Sequence, residues 1–261
     1  MIMGFMFEIN PVFSSNSQLV DLMTNIHSRF ESCGEVVFKN KRNLIKSYNI
    51  DGLGTVVVKR FRVMNVFQKL FYTFKGTSKA RNAFHNGCAM QQFNISTPTP
   101  YAYAEVKSCG LLSYCYYACS FTDSKPIVNW LDKPLNRDLI GSLAQYLVGM
   151  HTCGLVHHDM NKTNILYSEN GSDFSISAID INRMRRKPAG QQADYAEMLD
   201  DFVRFTDRMD IIMQLAYDYA KLRGFEQHSF AMDVAKEKIK FDSDRSRIQK
   251  IKAFFRGKKN S

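Results

Sequence analysis

Leu155-Val156-His157-His158-Asp159-Met160-Asn161-Lys162-Thr163-Asn164-Ile165-Leu166 is the stretch on which the reading of this chain turns. It has the form H-x-D-x-x-x-x-N. It follows a segment in which Leu139, Leu143, Tyr146, Leu147 and Met150 recur at helical spacing until Gly154 stops the helix. It then runs into an apolar strand at Ile165 to Tyr167. Sixteen residues past Asn164 stands Asp180, at the end of a further predicted strand, Phe174 to Ile181. Singly, a His-x-Asp is usually a satisfied turn pair and a strand-end Asp a turn residue. Taken in order, the set fits phosphoryl transfer. That reaction needs one carboxylate to orient and deprotonate a hydroxyl, and an amide oxygen with a second carboxylate to hold Mg²⁺ on the phosphates.

Upstream, the chain reads as strand-rich. Glu35 to Phe38 and Leu44 to Ile50 are short apolar runs, Asp51-Gly52 is a tight hairpin turn, and Thr55 to Phe61 is a β-branched strand carrying Lys59. Gly52-x-Gly54 imitates a phosphate-cradling loop, but it lies five residues before Lys59 and leaves no room for an intervening strand. The phosphate-covering turn is expected near Lys39 to Asn43, with backbone amides and Arg42 as its contacts. Thr77 to Phe93 has no proline and is predicted helical, ended by Pro98 and Pro100. Tyr101 to Val106 and Leu111 to Ala118 are predicted as another strand pair. Downstream, from Asp194, the pattern is helical through Leu199, Phe202, Val203, Ile211, Leu215 and Tyr219. A β-rich part followed by an α-rich part is an α+β arrangement.

Composition narrows the classes. The 261 residues (30.1 kDa) suit one large domain or two lobes, and 45% hydrophobic with 23% charged residues excludes a disordered chain. Met1 to Phe7 is apolar but lacks a basic n-region, so it is not read as a signal peptide. No run is long enough to predict a membrane-spanning helix. The six cysteines (33, 88, 109, 115, 119, 153) form no CxxC pair and read as reduced core thiols of a cytosolic protein. Absence of G-x-x-x-x-G-K-[ST] excludes a P-loop enzyme. The net charge of +10 favours an anionic partner, and +7 of it falls in Ala235 to Ser261. The remaining +3 and the lack of an aromatic-basic platform argue against nucleic acid.

With these strings in hand, the sequence resembles the protein-kinase-like superfamily and, within it, the lipopolysaccharide kinase (Kdo/WaaP) family. The resemblance rests on Lys41-Arg42-Asn43, Val56-Val57-Val58-Lys59-Arg60-Phe61, Ile95-Ser96-Thr97-Pro98-Thr99-Pro100, His151-x-x-Gly154-Leu155-Val156-His157-x-Asp159 and Ile179-Asp180-Ile181-Asn182-Arg183, over about residues 31 to 187. It implies a two-lobe protein-kinase-like fold: a β-rich N-lobe over 31–119 and a helical C-lobe over 120–230, with an N-terminal extension (1–30) and a basic tail (231–261). It implies an ATP- and Mg²⁺-dependent kinase acting on a sugar hydroxyl of the lipopolysaccharide inner core (Kdo or heptose). By position, Asp159 is the catalytic carboxylate and Lys59 a catalytic lysine on the ATP phosphates. Asn164 and Asp180 are the metal ligands, and Arg42 is a further nucleotide contact. His157 is a scaffold residue of the catalytic loop. Alone, Lys59 reads as an exposed strand lysine; the downstream string reverses that.

Two departures stand out. Ile-Asn, not Phe-Gly, follows Asp180, and no acidic residue between Gly76 and Asn94 is available to pair with Lys59. His85, Asn86 and Asn82 are candidates for that place, with Glu105 more remote. Only 81 residues follow Asp180 and no Ala-Pro-Glu string occurs, which favours a compact sugar kinase over an atypical protein kinase. The missing glutamate keeps a pseudokinase as the alternative from another class. The tail from Arg245 to Lys259 alternates basic residues with Ile248, Ile251, Phe254 and Phe255. It reads either as a solvated helix or as an interfacial one, which would place the protein at the cytoplasmic face of the inner membrane.

Overall fold

The structure is a computed structural model, and it describes residues 3–40, 43–61, 66–131, 133–171 and 173–257. The chain divides into two compact units, Met1–Ser124 with Ser177–Arg185, and Lys125–Ile176 with Arg186–Ser261.

In the first unit, β1 (Met3–Ile9), α1 (Ser17–Thr24), α2 (Ile26–Ser32), β2 (Glu35–Lys39), β3 (Asn43–Ile50), β4 (Gly54–Phe61), α3 (Val66–Lys75), α4 (Lys79–Gln92), β5 (Pro100–Ser108) and β6 (Leu111–Ser120) follow in order. The strands form one antiparallel sheet, ordered β1-β5-β6-β4-β3-β2. The Asp51-Gly52 turn closes β3 on β4, pairing Ile50 with Gly54, so Gly52-x-Gly54 is a hairpin as expected. The apolar start of the chain, where no secondary structure is predicted, is the edge strand β1, which pairs with β5 from Met3–Ser108 to Ile9–Ala102.

Strand alternation gives the sheet two unlike faces. Val56, Val58, Ala102, Ala104, Tyr116 and Ala118 point to one side and pack on Leu19, Leu22, Met23, Ile26 and Phe30 of α1 and α2. Those five helix residues recur at the spacing of one helical stripe. The other side carries Lys59, Tyr103, Tyr117 and Cys119, aligned by the register Lys59–Tyr117–Tyr103. Helix α4 covers this side, with Phe84 against Tyr103 at 5.3 Å between ring centroids. Gly87 permits the approach: a Cβ there would stand 3.1 Å from Pro100 and 3.3 Å from the Tyr117 hydroxyl. Ser78 caps α4 by accepting from the Arg81 amide at 3.0 Å. The helix ends before Pro98, at Gln92, because Asn94 takes a left-handed φ of 55° and the Ile95 amide returns to the Met90 carbonyl.

In the second unit, β7 (Lys125–Pro126), α5 (Val128–Leu131), α6 (Arg137–Thr152), β8 (Leu155–Val156), β9 (Ile165–Asn170) and β10 (Asp173–Ala178) precede β11 (Arg185–Arg186), α7 (Tyr195–Val203), α8 (Met209–Arg223) and α9 (Gln227–Gly257). Helix α6 buries Leu139, Leu143, Leu147 and Met150 as its spacing predicts. Gly154 ends the segment with φ 70°, where a Cβ would meet the Gln191 carbonyl oxygen at 2.3 Å. Helix α9 packs on α7 and α8 through Phe230, Ala231 and Val234. Strand β10 stops at Ala178, short of the predicted Ile181, because Asp180 is left-handed. The cysteines differ from the core-thiol reading: all six are free, Cys115 is buried and Cys88, Cys119 and Cys153 are partly buried, but Cys33 and Cys109 are exposed.

Candidate active site

Lys59 and Asp180 meet within the first unit. The lysine Nζ donates to Asp180 Oδ1 at 2.6 Å, joining residues 121 positions apart, and lies 4.8 Å from the centroid of the Phe61 ring. Half-shielded from solvent, this pair is stronger than an exposed one. Cys119 sits on the same face. Burial pushes its thiol up to about 12 although the Lys59 charge pulls the other way, so the thiol stays neutral beside the ammonium. Asp180 has φ 58° and ψ 37°, the left-handed region that Asp tolerates better than most residues. One 3₁₀ turn, Ile181–Arg183, follows it, and Asn182 Nδ2 folds back to donate to Asp180 Oδ1 at 2.7 Å.

Helix α4 contributes through Asn86, which is buried and donates from Nδ2 to the carbonyls of Ile181 (2.7 Å) and Met184 (3.1 Å). The residue weighed as a stand-in for the missing glutamate thus holds the backbone after Asp180, while Lys59 pairs with Asp180 itself. Asn82 accepts from the Thr77 hydroxyl, and His85 faces Glu8 at 3.7 Å and the Tyr103 ring. Glu105 is buried and its Oε1 has no hydrogen-bond partner. Arg42 lies outside the described residues.

The second unit holds Asp159 and Asn164 on the loop between β8 and β9. The Asp159 carbonyl accepts from Asn164 Nδ2 at 2.9 Å, from the Asn161 amide at 2.9 Å and from Asn161 Nδ2 at 3.2 Å. Asn161 Oδ1 in turn accepts from the amide and hydroxyl of Thr163. Buried His157 accepts at Nδ1 from the Asp159 amide at 3.2 Å. Local bonds thus hold the loop from both sides of Asp159.

A second layer beneath the loop was not read from the sequence. Asp201 of α7 is fully buried, and its two carboxylate oxygens each accept a backbone amide at 2.8 Å, Oδ2 from His157 and Oδ1 from His158. His151 Nε2 lies 3.3 Å from Asp201 Oδ2, and His151 Nδ1 lies 2.8 Å from the Tyr219 hydroxyl. Burial raises the Asp201 pKa, but the His151 hydrogen bond, the nearby histidine charges and the His157 amide outweigh it and hold the carboxyl below its ordinary value. Asp200 is likewise held low against its burial by His158 and by Arg204, whose guanidinium grips it from Nε and Nη2. The available signal was Asp201 on the apolar stripe of Met198, Phe202 and Phe205, where an unpaired acid would be costly.

Among the described residues, no three His, Cys, Asp or Glu side chains cluster as a metal cage. The donor chemistry still suits Mg²⁺, which takes one or two protein oxygens and completes its shell with phosphate and water. Asp180 offers a carboxylate. Asn164 spends its Nδ2 on the Asp159 carbonyl, which orients its amide and leaves an oxygen as the remaining donor.

Comparison with known proteins identifies a fold and a family. One of the similar solved structures is described as WaaP in complex with acyl carrier protein: TM-score 0.59 and 16% identity over 92% of this chain and 99% of that one. This likeness establishes the protein-kinase-like α+β fold. The Rio2 kinase–ADP/Mg²⁺–phosphoaspartate complex from Chaetomium thermophilum matches at 17% identity, TM-score 0.49, over 84% of this chain and 66% of that one. No curated protein matches the sequence. The model of the lipopolysaccharide kinase (Kdo/WaaP) family matches residues 58–216, a span holding Lys59, Asp159, Asn164, Asp180 and Asp201, and the chain belongs to that family.

Proposed function

We propose that this chain is an ATP- and Mg²⁺-dependent kinase that phosphorylates a sugar hydroxyl of the lipopolysaccharide inner core, Kdo or heptose. The observation that carries the reading is the Lys59–Asp180 pair at 2.6 Å. It supplies the lysine with a carboxylate partner despite the acid-free helix, which supports catalysis over the pseudokinase alternative. Bound Mg²⁺ would neutralise phosphate charge, and Asp180 and Asn164 are the residues whose oxygens suit it. Lys59 places a fixed positive charge for the ATP phosphates, with no reorganisation needed when charge moves. Asp159 orients the acceptor hydroxyl and takes its proton as the new bond forms. Asn164, His157 and Asp201 hold the backbone of its loop, which supports that role.

The acceptor is membrane-linked in this reading. No helix among the described residues is long and apolar enough to cross a membrane, so contact with the cytoplasmic face of the inner membrane would be peripheral, through the basic end of α9. Each basic residue near an anionic surface contributes about 1 kcal/mol, enough in sum for salt-sensitive attachment. The activity is tested by incubating the purified chain with ATP, Mg²⁺ and deacylated core oligosaccharide, with mass spectrometry for added phosphate. Phosphorylation of generic protein substrates with none on the oligosaccharide would instead identify an atypical protein kinase. The attachment is tested by sedimentation with anionic liposomes at low and high salt; equal binding to neutral and anionic liposomes would contradict it.

A further inference from the structure

A groove of about 930 Å³ in the second unit is lined by the Asp159–Thr163 loop, by the segment between α7 and α8, and by the stretch of α9 from Phe241 to Gln249. Asp159 and Arg245 line one and the same cavity, although 86 positions separate them. Its volume suits a ligand of a few sugar rings. Any molecule whose hydroxyl reaches Asp159 through this groove must therefore lie against α9.

The lining chemistry narrows the occupant. Arg204 is committed to Asp200, and its guanidinium stacks over Phe241 at 5.1 Å, which fixes that ring as part of the wall. Asp207 is paired with Lys238, a nearly buried cation that also holds Asp242. Asp244 faces Arg247 at 3.9 Å. Lys162 and Arg245 remain: both line the groove, and neither has an ion-pair partner among the described residues. Phe241 and Ile248 add apolar surface of the kind that meets the C–H face of a sugar ring, and Gln249 adds an amide.

We infer that this groove is the acceptor subsite, and that Arg245, with Phe241 beside it, selects a sugar bearing an anionic group, carboxylate or phosphate. The inference rests on the reading of Asp159 as the group that meets the acceptor. It makes α9 a specificity element in addition to any membrane role. A guanidinium that binds carboxylate or phosphate with paired N–H donors discriminates by about tenfold or more.

The test uses the full chain and deacylated core oligosaccharide in two further forms, carboxyl-reduced and dephosphorylated. Arg245→Ala should raise the acceptor KM about tenfold, and Arg245→Glu more, with the KM for ATP unmoved. Lys240→Ala, an exposed change on the same helix away from the groove, should leave the acceptor KM as in wild type. The modified oligosaccharide that wild type binds worst identifies which anion Arg245 reads, and Arg245→Ala should no longer distinguish it from the parent. Calorimetric binding of the oligosaccharide without ATP separates the two readings. Binding that falls in Arg245→Glu while wild type transfers no phosphate supports the groove and overturns the kinase reading. Transfer with an acceptor KM and binding unchanged in both Arg245 variants, or no oligosaccharide binding by wild type, overturns the groove.

Discussion

Replacing Asp201 tests whether the loop that carries Asp159 is held from below. The carboxylate accepts two backbone amides at 2.8 Å, from His157 and His158, and faces His151 at 3.3 Å, with no solvent access. In Asp201→Ala both amides lose their acceptor in a buried site. An orphaned buried donor costs about 1–3 kcal/mol, so two of them with the lost His151 contact amount to about 3–5 kcal/mol, the range found on breaking a buried charged network. Asp201→Asn keeps the volume and one oxygen but turns an NH₂ toward one amide, for about 2–3 kcal/mol. Urea unfolding of the full chain near neutral pH measures both. The pH dependence carries a further check. Because the folded carboxyl is held low, its contribution is present above the ordinary value of 3.8 and is lost as pH falls through the folded value. The gap between wild type and Asp201→Asn should therefore narrow below that point. As a positioning residue, Asp201 should also affect kcat more than the KM for ATP. A stability within about 0.5 kcal/mol of wild type for Asp201→Asn, or a gap unchanged by acid, would refute the reasoning.

Other consequences are equally direct. Asn86→Ala leaves the carbonyls of Ile181 and Met184 without their donor, and should destabilise by about 1–3 kcal/mol in urea titration while lowering turnover through the displaced Asp180 turn. Lys59→Met should reduce turnover strongly, while Asp180, relieved of the lysine, should bind Mg²⁺ at least as well, measured by metal titration in the presence of ATP. Asp180→Asn should raise the Mg²⁺ requirement and lower kcat together, and an unchanged metal dependence would reduce Asp180 to a turn residue.

What could be read from the sequence was mostly local. The β3–β4 hairpin announced itself through Asp51-Gly52 between apolar runs, α6 through its apolar stripe and Gly154, and the loop that carries Asp159 and Asn164 through its place between that helix and an apolar strand. The partner of Lys59 could not be found this way. The following helix carries no acid, and the partner lies 121 positions further along the chain. The role of Asn86 is not legible either, because its bonds are to main-chain carbonyls, whose position no side-chain pattern encodes. The first 30 residues were legible in principle: Leu19, Leu22, Met23, Ile26 and Phe30 form a helical stripe that covers one sheet face. Asp201 was missed because an acid in a helical run reads as surface until burial is known. The place of Arg245 beside Asp159 depends on the packing of α9 against α7 and α8, which its weakly periodic sequence does not announce.

The most direct test of the account compares wild type with Asp159→Asn, each incubated with ATP, Mg²⁺ and deacylated core oligosaccharide and read by mass spectrometry. Wild type should add phosphate to a sugar hydroxyl, and Asp159→Asn should add none while binding ATP as wild type does. Equal phosphorylation by both proteins, or none by wild type with every component present, would contradict it.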